Sequence, residues 1–325
     1  MRNTQHPKVV HLIDDTTAGG VMRVLDHLTR STELAQDANH KVHTVKRGRI
    51  SLRRLKADVI VSHLSISWRT LPALMALRAR HSSTKLFHVE HSYTDGFVRH
   101  NVTNKRRFST LLRTAFRLFD QVIAVSEGQG KWLKEEGYLD PSKMTVIRSY
   151  VDLEPFTALP SATSPVRHFG AIGRLNKQKG FDVLILAFQK VEGDDLRLSI
   201  FGQGPEESNL RALAKNDPRI IFEGFAESPT APYQAVDAVL MPSRWEAYGL
   251  VAIEALAAGR ALICSGVDGL QDHTEFGAQM VAVNDVEGWT AKIGEFAGQM
   301  IRPKPICIGS IRALDNRWGW KNALS

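Results

Sequence analysis

Apolar residues in the first half of the chain fall into short continuous runs separated by stretches with helical spacing. Residues 9–13, 42–45, 58–61, 85–89 and 121–125 are runs of four or five residues rich in Val, Ile and Leu, the pattern of strands buried on both faces. After the first run come Asp14, Asp15, Thr16, Thr17, Ala18, Gly19 and Gly20, and then Val21, Val24, Leu25 and Leu28 at helical spacing, which predicts strand, glycine turn and helix. Residues 70–80 and 105–119 carry the same helical spacing. Strands that alternate with helices predict a parallel, doubly wound sheet. Residues 149–165 hold Pro155, Pro160 and Pro165 without sustained periodicity and read as a linker.

The pattern then restarts. Residues 166–172, 198–201, 220–222, 238–241 and 261–264 read as strands, with a helix over 182–191 and another over 250–258 closed by Gly259. The expected organisation is a first domain over 1–150, a linker over 151–165 and a second domain over 166–307, with a C-terminal helix over 308–325 completing the first. Two such sheets leave a cleft between the carboxyl ends of their strands, where open α/β folds bind ligands.

Composition narrows the class. The chain has 325 residues, 43% of them hydrophobic and 23% charged, with 24 Gly and 13 Pro, so it is neither disordered nor fibrous. Cys264 and Cys307 allow at most one bridge, and a reduced cytosol is the expected compartment. No apolar stretch approaches the roughly 20 residues that cross a bilayer. The net charge of +8 is uneven: the first 150 residues hold 25 Lys and Arg against 13 Asp and Glu, the remainder 17 against 21. A basic first half suits phosphates, anionic lipid or nucleic acid.

The densest chemical signal runs from Pro242 to Gly259. A strand ends at Pro242 and Ser243, Gly249 frees the backbone, and a helix begins, so that Glu246 lies in the loop and Glu254 just over one turn into the helix. The amides of Tyr248, Gly249 and Leu250 then sit at a helix amino terminus, which favours phosphate. Carboxylates on either side accept hydrogen bonds from hydroxyls, and a nucleotide sugar has that layout.

With seven residues between Glu246 and Glu254, the chain resembles the retaining family-4 glycosyltransferases of the GT-B fold. The same order of motifs continues through Ala18-Gly19-Gly20-Val21, Glu90-His91-Ser92, the run from Gly173 to Gly180, Phe201-Gly202-Gln203-Gly204-Pro205, and Val236 to Ser243. The resemblance implies two Rossmann-like α/β domains facing a central cleft, and a sugar transferred from a nucleoside diphosphate donor, a UDP- or GDP-sugar, with no metal. It implies that Arg174 and Lys179 hold the diphosphate, Glu254 the ribose and Glu246 the sugar hydroxyls. Gly19, Gly20, Gly173, Tyr248, Gly249 and Leu250 would line the donor site, and His91 would reach the reacting centre from the first domain. It further implies front-face attack, with the departing phosphate taking the acceptor's proton, and a saccharide or lipid-linked acceptor of cell-surface polysaccharide or lipopolysaccharide synthesis. Arg148-Ser149-Tyr150 replaces the family's Asn-Gly before the linker, Tyr248 its commoner Phe, and 267–270 its more glycine-rich loop.

Other readings stand beside these. His88, Glu90 and His91 suggest a metal site, but strand alternation sends the two histidines to opposite faces. Gly202-Gln203-Gly204 lacks the third glycine of a dinucleotide loop, since Glu207 stands there. Arg174, Lys179 and Glu254 could be ordinary surface charges. The segment 105–119 reads either as a sheet-covering helix with Leu111, Leu112, Ala115 and Phe119 inward, or as a basic helix meeting an anionic membrane surface. A nucleotide-sugar epimerase of the same fold, and a non-catalytic basic lipid- or nucleic-acid-binding protein, are the rival functions. No recognition motif for nucleic acid is present.

Overall fold

The computed structural model describes residues 6–17, 19–48, 54–160, 165–301 and 308–324; Ala18, Cys307 and positions 161–164 of the expected linker lie outside them. The chain divides into two compact units, residues 1–151 with 312–325, and residues 152–311.

The first unit is a six-stranded sheet, all of whose pairings are parallel. Its strands are β1 (Lys8–Ile13), β2 (Asn39–Thr44), β3 (Val59–Ser62), β4 (Lys85–Glu90), β5 (Gln121–Ala124) and β6 (Met144–Val146), in spatial order β2-β1-β3-β4-β5-β6. Helices α1 (Gly20–Arg30), α2 (Leu71–Arg80), α3 (Asp95–Asn101), α4 (Lys105–Phe116) and α5 (Glu127–Glu135) connect them. Val10, Leu12, Ile60 and Leu86 from the strands pack with Leu74, Leu112, Ala115, Phe116 and Phe119 from the helical layer. Each such side chain contributes about 1.5–3 kcal/mol when removed from water. Helix α4 therefore covers the sheet as expected from its spacing, and it ends at Phe116 rather than at 119. Asn104 caps it by accepting from the amide of Arg107.

The second unit repeats the design with β7 (His168–Ile172), β8 (Arg197–Phe201), β9 (Ile220–Gly224), β10 (Ala238–Met241), β11 (Ala261–Ser265) and β12 (Gln279–Val281), in order β12-β11-β10-β7-β8-β9. Its helices are α6 (Glu154–Thr157), α7 (Phe181–Phe188), α8 (Glu207–Ala214), α9 (Ala231–Ala235), α10 (Leu250–Ala257) and α11 (Val286–Phe296). Phe169, Leu198, Leu240 and Ile263 meet Leu184, Phe188, Trp289 and Ile293 in its core.

The stretch read as a linker is partly built into the second unit. Leu153 and Phe156 are buried, α6 occupies Glu154–Thr157, and the Phe156 ring meets Tyr233 edge-on. Pro155 lies in the first turn of α6 and so admits a helix instead of excluding one. The last helix is α12 (Ile308–Leu324), whose residues from Arg312 onward belong to the first unit: Arg317 Nε donates to Asp37 at 2.7 Å, Asn316 donates to the carbonyl of Arg148, and Trp320 is buried.

In each unit the strand order reverses beside the first strand, between β1 and β3 and between β7 and β10. Crossovers leave in opposite directions there, so the loops part and a crevice opens at the carboxyl ends.

Candidate active site

In the second unit the two motif-bearing loops leave the adjacent strands β7 and β10 and are tied together. The amide of Arg244 donates to the carbonyl of Gln178 at 2.7 Å, and Gln178 Nε2 donates to the carbonyl of Trp245 at 3.0 Å. Gly180 has φ 65°, and a Cβ there would stand 2.1 Å from the carbonyl oxygen of Pro242, so only glycine lets the loops approach this closely. Arg244 adds a two-pronged pair to Asp182 at 2.9 and 2.6 Å. Burial alone would raise the Asp182 carboxyl, but the Arg244 guanidinium outweighs it and holds the group below its usual range.

This junction places Lys179 against Glu246. The ammonium donates to Oε2 at 2.5 Å, both side chains being largely shielded from solvent. The lysine stem crosses Gly173, where a Cβ would meet Lys179 Cε at 3.2 Å. An ammonium has three donors, so Lys179 keeps two for another acceptor while Glu246 fixes its position. Glu246 is itself placed by its backbone, whose amide donates to Asp268 Oδ2 and whose carbonyl accepts from the Gly269 amide. Arg174 lies on the same loop and is exposed, and its guanidinium donates to no described residue.

Helix α10 starts at Leu250 behind Gly249, which has φ 90° and lies so close to Leu270 that a Cβ would stand 2.6 Å from Cδ2. The amides of the first turn have no partner within the helix, and the peptide dipoles add positive potential there. Tyr248 is buried, with its carbonyl accepting from His273 Nε2 at 2.8 Å. Glu254 is only 2% exposed, which removes the reading of it as a surface helix residue, and Tyr233 Oη donates to its Oε2 at 2.5 Å.

In the first unit Gly19 has an extended backbone, φ 176°, and the nearest atom to a Cβ there would be 3.8 Å away, while Gly20 opens α1. Nothing in the surrounding backbone demands glycine at position 19. His91 follows β4; its Nε2 lies 2.8 Å from Nδ1 of His63 and the two rings stack. Burial draws the His91 imidazole down to about 4, against a smaller upward pull from Glu90. Glu90 accepts from the amides of Ser92 and Tyr93 and so shapes the turn that presents His91. His88 instead stacks on Phe119 beneath α4.

The structure therefore brings together Gly173, Lys179, Glu246, Tyr248, Gly249, Leu250 and Glu254 around one pair of loops, with Arg174 on the same rim, and holds Gly19, Gly20 and His91 at strand ends of the other unit. Arg244, Asp268, Tyr233 and His273, which position these groups, escape sequence reading because each acts on a residue distant in the chain. Among the described residues no group of His, Cys, Asp or Glu could hold a metal ion, and no helix is long and apolar enough to cross a membrane.

Two family models match this chain. The model of the glycosyl transferases group 1 matches residues 166–298, and that of Glycosyltransferase Family 4 matches residues 18–155. An uncharacterized glycosyltransferase of Methanocaldococcus jannaschii is 36% identical over 107 residues, 31% of this chain and 27% of that one. The D-inositol 3-phosphate glycosyltransferase of Mycobacterium ulcerans is 30% identical over 199 residues, 54% of this chain and 42% of the other. The chain thus spans less than half the length of these two relatives. Among solved structures, Anabaena HepE with UDP and glucose superposes with TM-score 0.72 at 18% identity, covering 98% of this chain and all of HepE. The apo lipopolysaccharide outer core galactosyltransferase WaaB gives 0.73 at 14%, covering 98% and 99%. At such identities the structures speak for the fold alone, which is the GT-B fold of two parallel-sheet units. Taken with the two family models, they make this chain a member of the GT4-like glycosyltransferases.

Proposed function

We propose that the protein transfers a sugar, with retention and without a metal cofactor, from a nucleoside diphosphate donor to a saccharide or lipid-linked acceptor. The observation that carries this reading is the Lys179–Glu246 pair, held at 2.5 Å beside the amino terminus of α10. As the bond from sugar to diphosphate breaks, negative charge grows on the leaving oxygens, and a cation already fixed in a shielded loop stabilises that charge without reorganising. Two opposite charges about 4 Å apart attract by roughly 4 kcal/mol near a protein surface, so Lys179 and Arg174 together supply a useful fraction of the barrier reduction. Glu246 takes the sugar hydroxyls and Glu254 the ribose, with the Tyr233 hydroxyl donating to Oε2 of Glu254 and fixing its carboxylate. Gly19 and Gly20 admit the donor close to backbone amides, and His91 serves the reacting centre. The departing phosphate takes the acceptor's proton, and no side chain is assigned as nucleophile.

UDP is favoured as the nucleotide because HepE is described with UDP, glucose and UDP-glucose. The Klebsiella pneumoniae relative encoded in a cps region, 23% identical over 85% of this chain, and WaaB favour cell-surface polysaccharide or lipopolysaccharide as the setting. A membrane-bound acceptor suits α4, where Lys105, Arg106 and Arg107 are exposed, with Arg117 exposed just past its end, and Arg107 lies over the exposed ring of Trp68. Liposome sedimentation tests this, with binding expected to rise with anionic lipid content and a flat response removing the membrane contact. For the activity, a thermal-shift panel of UDP-, GDP- and ADP-sugars should show one nucleotide raising Tm, because a ligand of the folded state stabilises it. Lys179→Ala should lose that shift, and a panel with no shift would overturn the reading.

A further inference from the structure

Four neighbouring strands of the first unit, in the order β2, β1, β3, β4, each bring one imidazole to the same row. His40 lies on β2, His11 on β1, His63 directly after β3 and His91 directly after β4. The row runs diagonally: Val9, two residues before His11, is level with His40, and Val61, two residues before His63, is level with His11. Steps of two preserve the face to which a strand side chain points. His11 Nε2 lies 2.9 Å from His40 Nδ1, His11 Nδ1 2.9 Å from His63 Nε2, and His63 Nδ1 2.8 Å from His91 Nε2. The ring centroids are 5.2, 5.1 and 5.1 Å apart, close to the strand spacing of about 4.8 Å, so the sheet itself sets the period of the row.

A neutral imidazole carries one N–H and one bare nitrogen, so each contact needs one ring to donate and the tautomer of one ring fixes that of all four. The rings stay neutral. Burial, then the charges of His40 and His91, holds His11 well below its usual value, and burial with His91, His11 and His88 does the same to His63. Burial brings His40 to about 4, as it does His91, which leaves about one His91 ring in a thousand charged at pH 7. The other titratable groups facing the row are His88 and Glu90 on β4; from α12 it meets the uncharged Trp320, whose ring centroid lies 5.7 Å from that of His11 and 6.0 Å from that of His40. The terminal nitrogens, Nδ1 of His91 and Nε2 of His40, have no hydrogen bond from a described residue.

We propose that the four histidines form one proton relay, which takes up a proton at His91 Nδ1 and releases one at His40 Nε2 without forming an imidazolium. The inference rests on the glycosyl-transfer reading for the proton's source. The departing diphosphate, having taken the acceptor's proton, loses it as an N–H bond forms at His91 Nδ1. The proton on His91 Nε2 passes to His63 Nδ1, that on His63 Nε2 to His11 Nδ1, and that on His11 Nε2 to His40 Nδ1, while His40 Nε2 gives its proton to water. Every ring is neutral before and after, and the diphosphate leaves as the anion. Once product has left, the reverse shift resets the row: His40 Nε2 takes a proton from water, the protons on Nδ1 of His40, His11 and His63 pass back to Nε2 of His11, His63 and His91, and His91 Nδ1 gives its proton to water.

Long-range 1H–15N spectra of the 15N-histidine-labelled full chain at pH 7 test the row directly. Four neutral rings, all Nε2-protonated, with three N–H···N protons far downfield are expected; mixed tautomers or a His91 titrating near 6.5 would overturn the relay. His11→Phe cuts the row two rings from His91. It should lower kcat about tenfold, leave the donor KM unchanged and raise the solvent isotope effect on kcat, with free imidazole restoring part of the rate in His11→Ala. An unchanged kcat and isotope effect in a folded His11→Phe protein would also overturn it. Should the wild-type chain transfer no sugar, the function reading falls, while the tautomers still judge the relay.

Discussion

In the C-terminal unit the polar groups of the site stand on the loops and helices that follow the strand ends, each answered by a partner of opposite character: Lys179 by Glu246, Glu254 by the Tyr233 hydroxyl, Asp182 by Arg244. In the N-terminal unit they stand in and at the ends of the sheet, and like meets like, His40 to His11 to His63 to His91. The first arrangement fixes charges in place, the kind of site that the proposed reaction would use to stabilise a departing diphosphate. The second excludes charge, because buried imidazoles side by side remain neutral. Two sheets of the same class thus carry electrostatic stabilisation on one side and neutral proton positions on the other.

The comparison is open to attack in order of expected effect. Lys179→Ala should cut kcat/KM by about 100- to 1,000-fold, since it removes a fixed donor from the leaving group. Its melting temperature should fall as well, because the largely shielded Glu246 carboxylate is left without its partner. Steady-state transfer assays beside thermal denaturation check both halves of that statement.

Acid should act on the other unit. The unfolded chain binds protons on His91 and His40 near pH 6.5, whereas the folded chain resists them until about 4, so stability is present above 6.5 and falls as pH drops through that window. The shift corresponds to about 3 kcal/mol for either ring taken alone. Urea midpoints between pH 7 and 4.5 should fall accordingly, and His11→Phe should flatten the slope by removing one suppressed histidine.

Glycines sharpen the contrast further. Gly249→Ala forces a positive φ on alanine and drives Cβ towards Leu270, so it should cost about 1–3 kcal/mol in urea unfolding. Gly19→Ala meets neither obstacle and should change stability by less than about 0.5 kcal/mol while weakening donor binding in the thermal-shift panel. Equal destabilisation by both would mean that position 19 serves the fold.

Much of this was legible without coordinates. The runs at residues 9–13, 85–89 and 238–241 all become buried strands, since four or five consecutive apolar residues between turn signals have no other good use in an α/β chain. The three-residue strands β6 and β12 escape notice because they carry little apolar signal of their own and owe their state to pairing with β5 and β11. The helical runs at α5, α8 and α11 lie outside the expectation for a related reason, since their helicity depends on the face they bury. Leu153 and Phe156 carry a linker signal because Pro155 obscures a packed turn.

By itself the sequence determined the alternation of strands and helices, the glycine positions and the spacing of Glu246 and Glu254, all of which are local properties encoded by period and backbone freedom. Only the tertiary structure decided which side chains face each other. The Tyr233 hydroxyl reaches Glu254 across 21 residues of chain, and four histidines align because strand order and register place them two residues apart on neighbouring strands. Hydrogen bonds act over about 3 Å, and no pattern along a chain reports a distance between strands.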